Sequence, residues 1–309
     1  MTAAERTSGS TEGTRRGGTR YRQRLAQAID RRVRRWIPST ALLSRNRLFR
    51  ASSWLPDLFA RAVLRVLTRQ PLPPLPLIVR TGVGNSILFP HYWYLTASAP
   101  LWMYYFANRY AGLDSTIVDI GSGAGRSAVG LRDFEYLGER FRGRYLGFDV
   151  DPEMIGWCQA HFPVDRFSFM TVDMASTVYN PAGSASSRPR LDCPDGTADL
   201  VYSQSLFSHL LEEGVRHYLS ESHRMLKPGG WMLMTFFCLD DLERLGLMGG
   251  RWTFSHSVGA ARVENADYPE SAVGYTRSWM VQAAQSAGFA EANVSLPNFQ
   301  STIVCRKGA

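Results

Sequence analysis

The chain has 309 residues, of which 45% are hydrophobic and 12% aromatic, so it can bury a full core and still carry a tail. Its four cysteines lie far apart without a CxxC or Cys/His pair, which argues against a disulfide scaffold or a structural zinc site. The net charge of +8 comes from the first 70 residues, which hold 16 Arg and four acids, so the remaining residues carry −4. A mildly acidic body argues against a nucleic-acid partner, because phosphate contacts need Lys and Arg.

The N-terminal part divides into a tail and an extension. Residues 1–20 are mostly Ser, Thr, Gly and Arg with little to bury, which predicts a disordered tail. In residues 21–76, apolar positions recur at helical spacing among arginines and end at the proline-rich stretch 70–76, which predicts a basic helical extension and a linker. Packing of these helices on the main domain is the favoured interpretation. Peripheral contact with an anionic membrane stays open as the alternative.

The main domain is expected at 77–309, and it begins with an uncharged stretch between Arg80 and Arg109. That stretch is long enough to cross a bilayer, but its prolines and a Gly-Asn turn argue against a span. The pattern predicts two short helices that form an aromatic lid close to a substrate. The residues expected there are His91, Tyr92, Tyr94, Tyr104 and Tyr105.

A glycine-rich turn follows the first strand of this domain. The β-branched run 116–120 predicts a buried parallel strand with Asp119 near its end, and Gly121, Gly123 and Gly125 then alternate. A dinucleotide-binding GxGxxG pattern would need glycine where Arg126 stands. The pattern D-x-G-x-G-x-G instead resembles motif I of the class I S-adenosylmethionine-dependent methyltransferases. The resemblance implies that the acid helps to position the methionine part of the cofactor.

Two further strands end in acids. Residues 144–149 predict a second strand whose terminal Asp149 can accept hydrogen bonds from both hydroxyls of a ribose, and Asp151 then caps a helix. Residues 167–172 predict a third strand that leads into Asp173 and Met174. The family resemblance implies that this last pair contacts the adenine ring.

The later blocks extend the resemblance to roughly residues 78–306. Residues 198–210 and the Lys227-Pro-Gly-Gly230 turn are similar to methyltransferase motifs IV and V. The stretch Tyr179-Asn-Pro-Ala-Gly183, together with 205–210, resembles a bacterial group of small methyltransferases. The implied fold is an α/β, Rossmann-like, doubly wound sheet of seven strands in the order 3-2-1-4-5-7-6, with an antiparallel last strand and the N-terminal helical extension.

The resemblance implies S-adenosylmethionine as cofactor, and no metal is expected. His209, just after the fourth strand, is the candidate general base for a hydroxyl acceptor, with a purely structural histidine as the alternative. Residues 240–274, which include His256, are expected to form part of the acceptor wall. The predicted cofactor contacts are Asp119, Gly121, Ser122, Gly123, Gly125, Asp149, Val150, Asp173, Met174, Ser203 and Gln204.

The expected activity is O-methylation of a small-molecule, glycan or lipid-linked acceptor in the cytoplasm, or at the inner face of the membrane. Two alternatives stay open at this point. A nicotinamide-dependent oxidoreductase is disfavoured by Arg126, and a non-catalytic methyltransferase-like partner protein is disfavoured by the intact glycines and the three strand-end acids.

Overall fold

The computed structural model describes residues 40–68, 70–80, 90–176, 179–181, 183–184, 188–249, 252–297 and 299–309. The predicted tail, 1–20, and the first part of the helical extension, 21–39, lie outside the described residues.

In the described part of the chain, five helices precede the sheet. The predicted pair of short helices in the uncharged stretch is confirmed as the fourth and fifth of them. No described helix is both long enough and apolar enough to span a bilayer. The helices are α1 (Thr40–Arg45), α2 (Arg47–Thr68), α3 (Leu75–Arg80), α4 (Pro90–Thr96) and α5 (Ala99–Ala107).

The rest of the described chain alternates strands and helices. It comprises β1 (Thr116–Ile120), α6 (Arg126–Arg132), β2 (Glu135–Tyr136), β3 (Glu139–Arg140), β4 (Arg144–Asp149), α7 (Pro152–His161), β5 (Phe167–Thr171), β6 (Ala198–Ser203), α8 (Glu212–Met225), β7 (Leu226–Cys238), α9 (Leu239–Arg244), β8 (His256–Val258), β9 (Ala261–Val263), β10 (Val273–Tyr275), α10 (Arg277–Ser286), β11 (Glu291–Ser295) and β12 (Ser301–Arg306). Short 3₁₀ turns lie at Phe207–His209 and Pro269–Ser271.

The predicted fold class is confirmed. Strands β5, β4, β1, β6 and β7 pair in parallel in that order, and β12 then pairs antiparallel to both β7 and β11. These seven strands follow the predicted order. Their parallel alignment brings the carboxyl ends of β1, β4 and β6 to one edge of the sheet, where such folds bind ligands.

The expected count of seven strands is wrong, because the main sheet has ten strands among the described residues. Strand β7 has 13 residues, so it pairs with β12 along 231–236 and still pairs in parallel with β10 at 237–238. Strands β9 and β8 continue from β10 as an antiparallel meander. All three added strands come from the 240–274 stretch, where only an acceptor wall was expected.

The core lies on both faces of the sheet. Along β1, Val118 and Ile120 belong to one buried cluster, whereas Ile117 belongs to the other. This alternation follows from the strand period of two, and the continuous apolar run is typical of a parallel strand that is covered on both sides.

A buried arginine fixes the N-terminal helices to the main domain. Arg80 is 2% exposed, and its guanidinium donates to the carboxylates of Asp151 (2.7 Å) and Glu153 (2.9 Å) and to the Ser44 hydroxyl (3.1 Å). Asp151 also accepts the backbone N–H groups of Glu153 and Met154, so its predicted role as the N-cap of α7 is confirmed. One carboxylate therefore caps a helix and anchors the extension.

Replacing Arg80 is expected to reduce stability, because Arg80→Leu leaves the buried Asp151 carboxylate without its closest cation. We expect the free energy of unfolding in urea to fall by about 3 kcal/mol. Arg142→Leu is the matched control, because the Arg142 ion pairs with Asp114 and Glu139 are exposed and should contribute little. Equal unfolding midpoints for the two variants would contradict the anchoring role.

Candidate functional site

The glycine-rich turn between β1 and α6 adopts a backbone that favours glycine. Gly121, Gly123 and Gly125 have φ angles of 82°, 54° and 78°. L-residues with a side chain rarely adopt these values, whereas glycine does so at little cost. The Tyr94 hydroxyl donates to the Ala124 carbonyl at 2.6 Å and holds the turn from the side of the aromatic helices.

Asp149, at the end of β4, joins this turn to the neighbouring strand. Its carboxylate accepts the N–H of Gly123 at 2.7 Å and the N–H of Asp151 at 2.9 Å. Burial raises the pKa of Asp149 to about 6, although the two N–H groups favour the ionised form. The carboxylate is thus fixed at the pocket edge and retains lone pairs for a ligand.

Asp119 occupies the end of β1 as a buried acid. Its carboxylate accepts hydrogen bonds from the hydroxyls of Tyr202, at 2.7 Å, and Tyr145. Burial raises the pKa of Asp119 to about 6, while both hydroxyls stabilise the ionised form. A cationic group of a ligand would stabilise that form further.

Arg126 begins α6 and faces the same space. Its guanidinium lies 4.4 Å from the ring centroid of Trp93 and donates to the side-chain oxygen of Gln204 at 3.1 Å. Burial lowers its pKa, although Asp119 acts in the opposite direction. The sequence analysis used Arg126 only as an argument against a dinucleotide-binding pattern and did not predict that it lines the pocket. The available signal was a cation in the first turn after a glycine-rich loop, where anions bind.

These groups surround one pocket, which we call the inner pocket. The structure brings seven of the predicted cofactor residues and His209 into its wall. The other four predicted cofactor residues are not in this wall. Gly125 packs against Phe162, and Ser203 is buried. Met174 lines a neighbouring pocket, and Asp173 is exposed and accepts the Ser184 N–H. The wall consists of Asp119, Gly121, Ser122, Gly123, Arg126, Ser127, Asp149, Val150, Met154, Tyr179, Gln204, Ser205, Leu206, His209 and Tyr218.

A second pocket adjoins the first and is called the outer pocket here. Part of its wall comes from the predicted acceptor segment, through Val258, Gly259 and Glu270. The two pockets have five wall residues in common, which are Val150, Tyr179, Leu206, His209 and Tyr218. A ligand in one pocket is therefore next to a ligand in the other.

His209 lies at this boundary in a defined orientation. Its Nδ1 is 2.8 Å from the Glu270 carbonyl oxygen, so Nδ1 must carry the hydrogen and Nε2 is the nitrogen that can accept a proton. The Tyr179 ring packs edge-on against the imidazole, with 5.5 Å between ring centroids. Burial lowers the pKa of His209, which keeps the ring neutral near pH 7.

The predicted substrate residues lie elsewhere. None of the six residues expected near the substrate lines either pocket. His91 is paired with Asp57 at 3.0 Å, Tyr94 holds the glycine turn and Tyr104 packs on Tyr105, whereas Tyr92 and His256 are exposed. The aromatic rings of α4 and α5 fill the core beside α6 and in this way support the glycine turn. Contact of these residues with an acceptor stays a prediction.

The packing around Gly125 gives a test of the turn. A Cβ at Gly125 would lie 2.8 Å from the Phe162 ring, so Gly125→Ala adds overpacking to backbone strain and should lower the free energy of unfolding by about 3 kcal/mol. Gly138 has the similar φ of 80°, and a Cβ there would have no atom within 4 Å, so Gly138→Ala should cost only about 1 kcal/mol. Equal losses in urea unfolding would show that the Phe162 contact is unimportant.

Comparison with known proteins gives one family match and several similar structures. Residues 118–234 match the family model described as a methyltransferase domain. One similar structure is the Burkholderia thailandensis 1,6-didemethyltoxoflavin N1-methyltransferase, with 15% identity over 70% of this chain and 80% of that chain and a TM-score of 0.43. A second is a SAM-dependent methyltransferase from Methanosarcina mazei, with 17% identity over 66% of this chain and 97% of that chain and a TM-score of 0.45. A third is human N-acetylserotonin methyltransferase, with 17% identity over 82% of this chain and 67% of that chain and a TM-score of 0.42. The region that contains the glycine turn, Asp149 and the boundary histidine is thus similar in sequence to a methyltransferase domain.

Proposed function

We propose that the protein is an S-adenosylmethionine-dependent methyltransferase that binds its cofactor in the inner pocket. The observation that carries this proposal is the placement of Asp119, Asp149 and Arg126 around one glycine turn. The family match over residues 118–234 supports it. When bound, the cofactor supplies a methyl group on a sulfonium, from which a neutral thioether departs.

The charges of the inner pocket fit this cofactor. Asp149 offers a carboxylate to the ribose hydroxyls, and the acid of Asp119 suits a cationic ammonium or sulfonium. Arg126 suits the methionyl carboxylate, because a guanidinium pairs well with a planar anion. The buried hydroxyl of Ser122, which lies in the wall, has no hydrogen-bond partner among the described residues and is free to bind a polar ligand atom.

The outer pocket is the proposed acceptor site. Its shared wall with the inner pocket allows an acceptor atom to be aligned with a transferable group, and such alignment supplies much of the rate acceleration in a displacement reaction. His209 is the proposed general base, because Nε2 can take a proton from a hydroxyl acceptor. The proposed reaction is therefore O-methylation of a small molecule, glycan or lipid-linked group.

We also propose that Asp173 and Met174 contact the adenine ring of the cofactor, as the family resemblance implies. Met174 lines the outer pocket, and the Asp173 carboxylate accepts the Ser184 N–H at 3.1 Å from an exposed position.

Calorimetric titration with S-adenosylhomocysteine tests the function. The wild type should bind it and not NADH, whereas Asp149→Ala should weaken binding at least ~10-fold through loss of a charge-assisted contact. Asp165→Ala is the matched control, since Asp165 is an exposed acid paired with the neighbouring Arg166. Binding of NADH without binding of S-adenosylhomocysteine would favour the oxidoreductase. Unchanged affinity of Asp149→Ala for S-adenosylhomocysteine would contradict the assignment of the cofactor to the inner pocket.

The same titration should depend on pH. In the free protein, burial raises the pKa values of Asp119 and Asp149 to about 6, and the ligand's donors and positive charge favour the ionised carboxylates. The complex therefore holds fewer protons than the free protein, so the affinity should fall as the pH drops through about 6 and level off above it. Asp149→Asn should make this dependence shallower, and a flat wild-type profile would contradict the assignment.

The role of His209 is tested in turnover. With an acceptor chosen from a panel of hydroxyl-bearing molecules that the wild type methylates, His209→Gln should lower kcat ~100-fold or more. It should also remove the rise in rate with pH that titration of the imidazole produces, while S-adenosylhomocysteine affinity stays unchanged. His161→Gln is the control, since this exposed ring lies in α7 against Trp157. Full activity in His209→Gln would leave only the structural alternative.

A further inference from the structure

Helix α2 carries a row of exposed apolar side chains on the side that faces away from the main domain. Seven large apolar residues there are between 43% and 80% exposed. They are Leu48, Trp54, Leu55, Leu58, Phe59, Val63 and Val66. We call this row the α2 outer face. A contiguous apolar surface on one helix indicates an interaction site, whereas scattered apolar residues do not.

The side of α2 that faces the protein is largely polar. Asp57 is buried, pairs with His91 at 3.0 Å and accepts the backbone N–H of Leu75. Arg50 pairs with Glu153 at the start of α7. The helix is therefore held in place by polar contacts and by Phe49 and Leu64, and it directs most of its apolar residues outward.

The charges of α2 select one kind of partner. Arg47 and Arg65 are exposed and lie eighteen residues apart, about five helical turns, so both lie along one side of the helix. The single acid of α2, Asp57, is buried and also paired with Arg61. Arg47 and Arg65 have no ion-pair partner among the described residues, so the accessible surface of α2 combines apolar side chains with positive charge.

We propose that the α2 outer face docks on the surface of an anionic lipid bilayer. A strongly amphipathic helix of low net hydrophobicity, with aromatic and aliphatic residues on one face and arginines beside them, is typical of helices that lie in the membrane interface. The strong charge difference within the chain, +12 in residues 1–70 against −4 in the remainder, orients the same end toward negative lipid. Pairing with a second copy is disfavoured, because it would bring the exposed arginines of two α2 helices together.

The position of α2 relates this surface to the pockets. Arg50 of α2 and Arg45 of α1 contact Glu153 and Asp151 at the start of α7, and Arg45 also donates to the carbonyl of Tyr179, which lines both pockets. Bilayer docking would therefore take place on a helix that contacts the start of α7 and packs beside α1, whose Arg45 contacts the pocket wall. The docking proposal itself does not depend on methyl transfer.

Vesicle flotation of the full chain tests the proposal. The protein should float with vesicles of phosphatidylcholine and phosphatidylglycerol, and much less with phosphatidylcholine alone. Arg47→Gln with Arg65→Gln should lower the partition coefficient ~10-fold or more, at about 1 kcal/mol per arginine. Leu55→Gln with Phe59→Gln should lower it to a similar degree, and added salt should weaken wild-type binding.

A matched control uses exposed apolar residues away from α2. Leu137 and Val164 are 86% and 82% exposed, so Leu137→Gln with Val164→Gln removes similar apolar area without touching the α2 outer face. Equal loss of flotation in both apolar double variants, or no wild-type flotation, would overturn the proposal. A wild-type dimer in sedimentation that Leu55→Gln with Phe59→Gln makes monomeric, without any vesicle binding, would assign the face to self-association instead. S-adenosylhomocysteine affinity should be unchanged in all variants, which separates this result from a failure of the proposed function.

Discussion

The hydrogen bond from the Gly123 N–H to the Asp149 carboxylate holds the centre of the site together. It fixes the glycine turn after β1 to the end of β4, and the same carboxylate accepts the N–H of Asp151. Asp151 in turn caps α7 and receives the buried guanidinium of Arg80. One continuous set of polar contacts therefore runs from the ligand-facing turn to the N-terminal helices. Because each member is largely buried, the loss of one partner would leave another without its hydrogen bonds, which is costly in the protein interior.

The wall of the inner pocket holds the Asp119 and Asp149 carboxylates and the Arg126 guanidinium, and none of the three forms an ion pair with another described residue. Asp119 and Asp149 lie at two strand ends, and burial raises the pKa of each to about 6. Arg126 lies in the same wall against Trp93 and Gln204. Holding such charges in a partly dehydrated pocket costs free energy in the unbound protein. A ligand with a carboxylate, a cation and a diol would recover that cost, which is why charge placement supports the proposed cofactor more strongly than pocket size.

The N-terminal helices combine two structural roles with opposite surface character. On the inner side, α4 and α5 support the glycine turn through the Tyr94 hydroxyl and the packed aromatic rings. On the outer side, α2 presents apolar residues beside exposed arginines. A globular domain normally buries the apolar side of an amphipathic helix. The reversed orientation of α2 follows from its polar anchors, because Asp57 pairs with His91 and Arg50 pairs with Glu153 of the main domain.

The resemblance to a known family implied the order of the parallel strands, whereas the glycine turn and the acids at the strand ends could be predicted directly from the sequence. These features are local: a β-branched run, an alternating glycine spacing and a capping acid each depend on neighbouring residues. The fold decided that Arg126 joins the pocket, that Arg80 reaches Asp151 over 71 positions, and that the Tyr94 hydroxyl holds the Ala124 carbonyl of the glycine turn. It also decided that the 240–274 stretch adds three strands to the sheet. Burial and charge pairing depend on which residues far apart in sequence come into contact, and a short apolar or polar stretch does not specify its tertiary partners.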